Sequence, residues 1–294
     1  MQSVSGRIHN RGRGLLSMEN EKTINELTEL TEAIRLNPND AAAYGNRSDL
    51  YADIGDYDNA IKDLSQVIRL DPNDAKAYLI RGDYYYRICR FDLAIEDYNQ
   101  AIKLDPNNAY IYYNRGTLYY NRGDLENSLK DFNQAIKLDP NNGKFYGNRG
   151  NVYDEKGEFD MALEDYNQAI KLDPNNYNNY FNRGFLYYQR GELNLAIEDY
   201  NQVIKLDPNE PKNYFRRGLA YNDRGDINLA LEDYNQAIKF NPNNAYFYNY
   251  RGNLYYDRGD INLAIEDYNL AIKLDPENDE VKKKLEEIKG NKNH

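Results

Sequence analysis

Proline recurs along this chain at a fixed spacing. Pro38, Pro72, Pro106, Pro140, Pro174, Pro208, Pro242 and Pro276 lie 34 residues apart without slippage, and only Pro211 falls outside the series. A chain with so strict a period repeats one supersecondary unit, and each unit buries its apolar face only by stacking on the next. Cutting three residues after each of the first seven prolines gives blocks 41–74, 75–108, 109–142, 143–176, 177–210, 211–244 and 245–278. The fourth residue of every block is Tyr (Tyr44, Tyr78, Tyr112, Tyr146, Tyr180, Tyr214, Tyr248), and so is the eleventh, from Tyr51 to Tyr255. The eighth is Gly except for Ser48, and the twentieth is Ala except for Ser128. This period explains a composition of 30 Tyr and 9 Phe without Trp.

Each block reads as two antiparallel helices. Apolar residues recur three and four apart in the first half (Tyr112, Leu118, Tyr119) and again in the second (Leu129, Phe132, Ala135, Ile136). The fifteenth residue is Gly in six blocks (Gly55, Gly123, Gly157, Gly191, Gly225, Gly259), the residue that ends a helix in the left-handed region. Cys89 stands there in the second block, so its turn is expected to be strained or differently built. Small residues at the eighth and twentieth positions suit a close approach of two helix backbones. The Leu-Asp-Pro-Asn-Asn turns stop the second helix and offer Asn or Asp as the next N-cap.

These landmarks resemble the tetratricopeptide pattern of aromatic, Gly, Tyr, Ala, aromatic and Pro at set offsets, without a gap over 41–278. Tyr stands where the family usually has Trp, and Asn-Arg-Gly triplets run through the sixth to eighth positions. The resemblance implies an all-α fold, a right-handed α-solenoid of antiparallel helix pairs in 34-residue repeats. Residues 18–40 read as an N-terminal half-repeat helix carrying Ala33 and Pro38, and Arg13-Gly14 falls in the frame of a degraded first helix before it. Residues 279–294 read as a capping helix and tail, with Val281, Leu285 and Ile288 on one stripe. Residues 1–17 are expected to be a disordered or misannotated segment; their Arg-rich start develops no amphipathic face for a transit peptide, and Met18 is an alternative start.

The seventh position is Arg in every block, from Arg47 to Arg251, and the twenty-third is Asp in every block, from Asp63 to Asp267. The pair sits on opposite helices of one hairpin. A row of anion-binding arginines is one reading; a repeated Arg–Asp ion pair stitching helices together is favoured, because an Arg beside a close-packed Gly is partly buried and needs a partner.

In the family the first helices line a concave groove into which the second, fifth, sixth, ninth, twelfth and thirteenth positions point. That face carries Phe181, Phe185, Tyr188, Phe215 and Leu219 in the fifth and sixth blocks, aromatic groups that suit an extended peptide or else pack between adjacent repeats. Family members that bind chaperone tails use a carboxylate clamp over three successive repeats. Its closest match is Asn151, Asn182, Lys212 and Arg216, with Gly147 in place of its first Lys. By the resemblance, the two Asn would hydrogen-bond a terminal carboxylate and the two cations would supply the field. On the second helices Glu198, Gln202 and Lys205 form a polar stripe, interrupted by Leu195, Leu229 and Leu263, which flank the Arg–Asp row or form a small self-association patch.

Chemistry is poorly provided for. The chain has one Cys and two His, His9 and His294, and no nucleophile–base set, phosphate loop or metal spacing; neither an enzyme nor a cofactor is expected. With 37 Lys+Arg against 48 Asp+Glu, a net charge of -11 disfavours a nucleic-acid or anionic-membrane partner. The expected role is a cytoplasmic protein–protein interaction scaffold or adaptor that binds a peptide or protein segment in its groove, as a monomer. Self-assembly of the array into a structural element is the alternative, and co-chaperone-type recognition of a C-terminal carboxylate comes after it.

Overall fold

The computed structural model describes residues 22–291. The readings made for residues 1–17, Arg13-Gly14 and His294 lie outside the described residues. The chain divides into two compact units, Met1–Pro140 and Asn141–His294. In the first unit α1 is helical over 22–36. It is followed by α2 (Ala41–Asp53), α3 (Tyr57–Leu70), α4 (Ala75–Arg87), α5 (Phe91–Leu104), α6 (Ala109–Asn121) and α7 (Leu125–Leu138). The second unit holds α8 (Gly143–Glu155), α9 (Phe159–Leu172), α10 (Tyr177–Gln189), α11 (Leu193–Leu206) and α12 (Pro211–Arg224). It ends with α13 (Ile227–Phe240), α14 (Ala245–Asp257), α15 (Ile261–Leu274) and α16 (Asp279–Asn291). No strand occurs among the described residues, and the architecture is an all-α repeat solenoid.

The helices form hairpins, α2 on α3 through α6 on α7 in the first unit and α8 on α9 through α14 on α15 in the second. Within each unit the second helix of a pair also packs against the first helix of the next, as α3 does on α4 and α11 on α12. The residues before the first helices cap them: Asp40, Asp74, Asn108, Asn142, Asn176 and Asn244 each accept a backbone N–H of the first turn. Before α12 the cap is Glu210, with Pro211 at the first helical position where a missing N–H costs nothing.

The core of each hairpin follows from its small residues. Ala60, Ala94, Ser128, Ala162, Ala196, Ala230 and Ala264 are fully buried. Opposite them the eighth-position Gly lets a ring lie on the helix backbone: a Cβ built on Gly218 would stand 2.7 Å from the Tyr234 ring, closer than carbon atoms approach. At Ser48 and Ser128 the hydroxyl gains a bond instead, donating to the Ala60 and Gly116 carbonyls.

The row of arginines is structural. In all seven hairpins the guanidinium grips the Asp carboxylate through two bonds of 2.6–2.8 Å. The Asp side chains are 3–7 % exposed and the Arg side chains 15–20 %. The Tyr residues three before and four after each Arg lie within 5.6–6.0 Å of its guanidinium carbon, one turn below and one above. The third guanidinium nitrogen reaches back to the preceding second helix: Arg47 to Thr31, Arg81 to Ser65, Arg115 to Asn99, Arg183 to Asn167, Arg217 to Asn201 and Arg251 to Asn235. One side chain therefore ties a first helix to its own partner and to the previous repeat. Burial pushes the Asp165, Asp199 and Asp233 carboxyls up, and the guanidinium bonds bring them only part of the way back.

At the C-terminal end α16 occupies the place of a further first helix. Val281, Leu285 and Ile288 are buried against Tyr248, Ala264, Tyr268 and Ala271. Leu285 stands at the seventh position, where every hairpin has Arg, and no second helix follows among the described residues to bring it an Asp.

Two expected outcomes follow from this frame. Arg217→Met leaves the Asp233 carboxylate buried with no counter-charge, so it should lower unfolding free energy by about 3 kcal/mol. Adding Asp233→Leu should recover much of the loss, as a urea-denaturation cycle would record. The Cys89 turn has the same hydrogen bonds as the Gly turns but holds a side chain at φ 59. A non-Gly residue in that region costs about 1–2 kcal/mol, partly offset by glycine's larger entropy loss. Cys89→Gly should therefore raise the urea midpoint, by about 1 kcal/mol in stability.

Candidate functional site

The residues singled out for binding all fall in the second unit, on the first helices α8, α10 and α12. Helices α8 and α10 touch directly, so their second, fifth, sixth and ninth positions form one continuous face. The structure brings the expected residues together in adjacent pairs. The Lys212 ammonium lies over the Phe181 ring at 4.7 Å, and the Arg216 guanidinium over the Phe185 ring at 5.0 Å. Asn182 donates its amide N–H to Asn151 Oδ1 at 2.8 Å. The Tyr188 hydroxyl donates to Asp223 at 2.5 Å, and burial together with that bond pushes it up to about 12.

The aromatic residues divide between the two roles left open for them. Phe215 is a packing residue, with Tyr234, Phe247 and Tyr250 rings around it at 5.1–5.7 Å. Phe181 meets the Tyr200 ring edge-on at 6.0 Å and joins the cluster of Ala196, Ile197, Tyr200 and Ala220. Each also remains half-buried rather than sealed. Phe185 serves as the platform for Arg216, and Tyr188 ties α10 to α12 through Asp223.

A second pattern runs beneath this face and was not read from the sequence. The ninth residue of a first helix accepts the hydroxyl of the Tyr at position twenty-four of the same hairpin. Asp83 accepts from Tyr98 at 2.7 Å, Asn151 from Tyr166 at 2.9 Å and Asn253 from Tyr268 at 2.8 Å. A donor from the next first helix shares the same oxygen: Asn114 on Asp83, Asn182 on Asn151 and Lys284 on Asn253. In the fifth and sixth blocks the ninth residue is Phe185 or Leu219, which accepts nothing. The Tyr200 hydroxyl is then buried without a partner, and so is the Arg216 Nε–H. Tyr234, 1 % exposed, makes no side-chain hydrogen bond among the described residues either. Comparing positions nine and twenty-four across the blocks would have found these groups.

Sequence profiles described as TPR repeat match residues 48–88, 90–121, 150–189, 186–222 and 218–256. Profiles described as tetratricopeptide repeat match 109–142 and 245–278, and 29–62 and 132–164. The chain is a tetratricopeptide repeat protein. No curated protein matches it. Among solved structures it is similar to MamA, at 26 % identity over 56 % of this chain and 91 % of that one, with a TM-score of 0.53. It is also similar to YrrB, described as a TPR protein with an unusual peptide-binding site, at 23 % identity over 61 % and 92 % and a TM-score of 0.53. A tetratricopeptide repeat protein from Parabacteroides merdae aligns over 84 % of this chain and 98 % of its own at 20 % identity, with a TM-score of 0.60.

Two features of this tetratricopeptide face bear on a carboxylate clamp. Gly147, where the clamp pattern has its first Lys, faces Asn179: a Cβ there would stand 2.5 Å from the Asn179 Oδ1. Asn151 Oδ1 is already shared by the Tyr166 hydroxyl and the Asn182 amide. Lys212 and Arg216 stack on rings, and neither forms an ion pair among the described residues. The described residues contain no group of three or more His, Cys, Asp or Glu placed to hold a metal ion, and no helix long and apolar enough to cross a membrane.

The acceptor pattern makes a prediction in the first unit. Burial pushes the Asp83 carboxyl above its ordinary value, against the pull of Tyr98 and Asn114. The folded protein therefore holds that proton more tightly than the unfolded chain. The associated stability is complete below the ordinary carboxylate range and is lost as pH rises through the raised value. Asp83→Asn, the residue found at Asn151 and Asn253, should raise the thermal midpoint at pH 7 and flatten its decline above pH 4. A thermal scan at several pH values measures both.

Proposed function

We propose that this protein is a binding scaffold that takes up an extended, acid-bearing peptide segment across α10 and α12, with no catalytic step. The observation that carries the reading is a pair of cations, Lys212 and Arg216, laid over Phe rings with no ion-pair partner among the described residues, in a chain with 48 acidic residues. Every other guanidinium on the inner positions of α8, α10 and α12 is already matched to an Asp. The buried Arg216 Nε–H and Tyr200 hydroxyl add two donors that a ligand carboxylate would satisfy. The description of YrrB as a peptide-binding tetratricopeptide protein supports a peptide as the ligand class. In this reading 41–278 is seven full repeats, a half-repeat precedes them and α16 closes the array. The clamp residues Asn151 and Asn182 then act mainly in holding α8 to α10, and the acid is an internal side chain or a chain end held by Lys212 and Arg216.

A second reading rests on Leu195, Leu229 and Leu263, each 39–41 % exposed at the same position of α11, α13 and α15. Such a row supports self-association of the array. Sedimentation over a concentration series separates the two, since a monomer at high concentration leaves the Leu row without that role.

Selection from a random peptide library gives the direct test. Wild-type protein should enrich sequences with an Asp, a Glu or a free C-terminus. Lys212→Ala combined with Arg216→Ala should lose that enrichment and weaken a selected peptide about tenfold or more, the scale of one charge-assisted contact. Equal binding of free and amidated C-termini would remove the terminal-carboxylate form of the reading. An acidic consensus that survives both substitutions would remove the reading itself.

A further inference from the structure

A cavity of about 470 Å³ opens between α12, α14 and α16, on the same face as the cations but toward the C-terminal end of the unit. Tyr234, Tyr250, Tyr268, Asp257, Lys284 and Glu287 are among its lining. Its size falls in the range of about 300–1,000 Å³ typical of ligand pockets. Tyr234 is part of its lining; the counterparts Tyr98, Tyr166 and Tyr268 give their hydroxyl to a ninth-position acceptor, and Tyr200 does not. Here that position is Leu219; Tyr234 lines the cavity, is 1 % exposed and makes no side-chain hydrogen bond among the described residues. Tyr268, one repeat further on, keeps its acceptor Asn253, so of the two cavity-lining tyrosines at this position Tyr234 is the one that lacks it.

The charges of the cavity have one sign once internal pairs are removed. The Lys284 ammonium is held by Glu280 at 2.8 Å and Asn253 at 3.3 Å. Asp257 and Glu287 form no ion pair among the described residues, and Tyr250 and Tyr256 add ring faces to the wall. We propose that this cavity receives a basic side chain, Arg or Lys, from the bound segment. The cation would lie between the Asp257 and Glu287 carboxylates, against Tyr rings, with the Tyr234 hydroxyl as a further acceptor. An anionic group would meet two unpaired carboxylates, and an apolar group would offer no donor to them or to the Tyr234 hydroxyl. The inference rests on this face being the binding face. It gives the ligand a polarity: acid over α10 and α12, base over α14 and α16.

The test uses a probe that needs no knowledge of the natural ligand and does not engage the cations of α10 and α12. N-acetyl-arginine amide and N-acetyl-citrulline amide have the same shape and differ in charge. Each is titrated into the full chain while the methyl NMR signals of Ile288 and Leu254, which line the cavity, are followed. The arginine probe should shift both signals saturably, and citrulline should bind about tenfold more weakly or not at all. Asp257→Asn with Glu287→Gln, on exposed residues, should abolish the difference between the probes. Tyr234→Phe removes only an unpaired hydroxyl, so it should keep the fold and weaken the arginine probe severalfold. Equal shifts from both probes, or none from arginine at millimolar concentration, would overturn the inference. The outcome is independent of the library selection, which reads Lys212 and Arg216; acidic peptides that bind while the arginine probe does not would leave the proposed function standing and remove this site alone.

Discussion

The guanidinium at the seventh position of each hairpin is where the forces in this protein meet. In all seven its fork binds an Asp on the second helix and two Tyr rings flank it along its own helix, and in six, Arg217 among them, the remaining nitrogen binds a polar residue on the preceding second helix. Each bond draws on the others: the rings and the packed Ala and Gly lower the local dielectric, which strengthens the ion pair but raises the penalty for losing half of it. The eighth-position glycine serves the same close packing, because a Cβ there would run into the neighbouring ring, as on Gly218 against Tyr234.

Against so regular a frame, departures are informative. Beneath the face formed by the first helices, three hairpins satisfy a buried Tyr hydroxyl with an Asp or Asn on the first helix, and two replace that acceptor with Phe185 or Leu219. The replacements cost hydrogen bonds and gain an aromatic platform for Arg216 and an open hydroxyl on Tyr234. Buried polar groups are rarely left unmatched for stability's sake, so these exceptions set their hairpins apart from the others. They fall on α10 to α14, the stretch where the groove residues also vary most.

Much of this was legible in the residue string. The helix boundaries followed from Pro, Asn or Asp caps and Gly turns. The Arg–Asp pairing followed from two invariant charged positions sixteen residues apart. Cys89 announced its strained turn by standing in a column of glycines, and the structure shows that turn built like the others, at φ 59. The binding face was less legible. Phe181, Phe185, Phe215 and Tyr188 share one face by helical spacing, yet Phe215 packs between repeats while Phe185 carries Arg216. Spacing on one helix fixes direction, but the role depends on which residue of the next helix arrives opposite.

The residue pattern by itself determined the repeating hairpin, its small-residue contacts and its internal ion pairs, because these depend on neighbours at fixed separations and recur seven times. Only the tertiary structure decided that the Arg reaches back to the previous repeat, that Gly147 faces Asn179, and that Lys212 and Arg216 lie on rings without an acid partner. It also decided which Tyr hydroxyls remain unpaired. These outcomes depend on distances between side chains of successive repeats, which change with each substitution in the groove and have no period to reveal them.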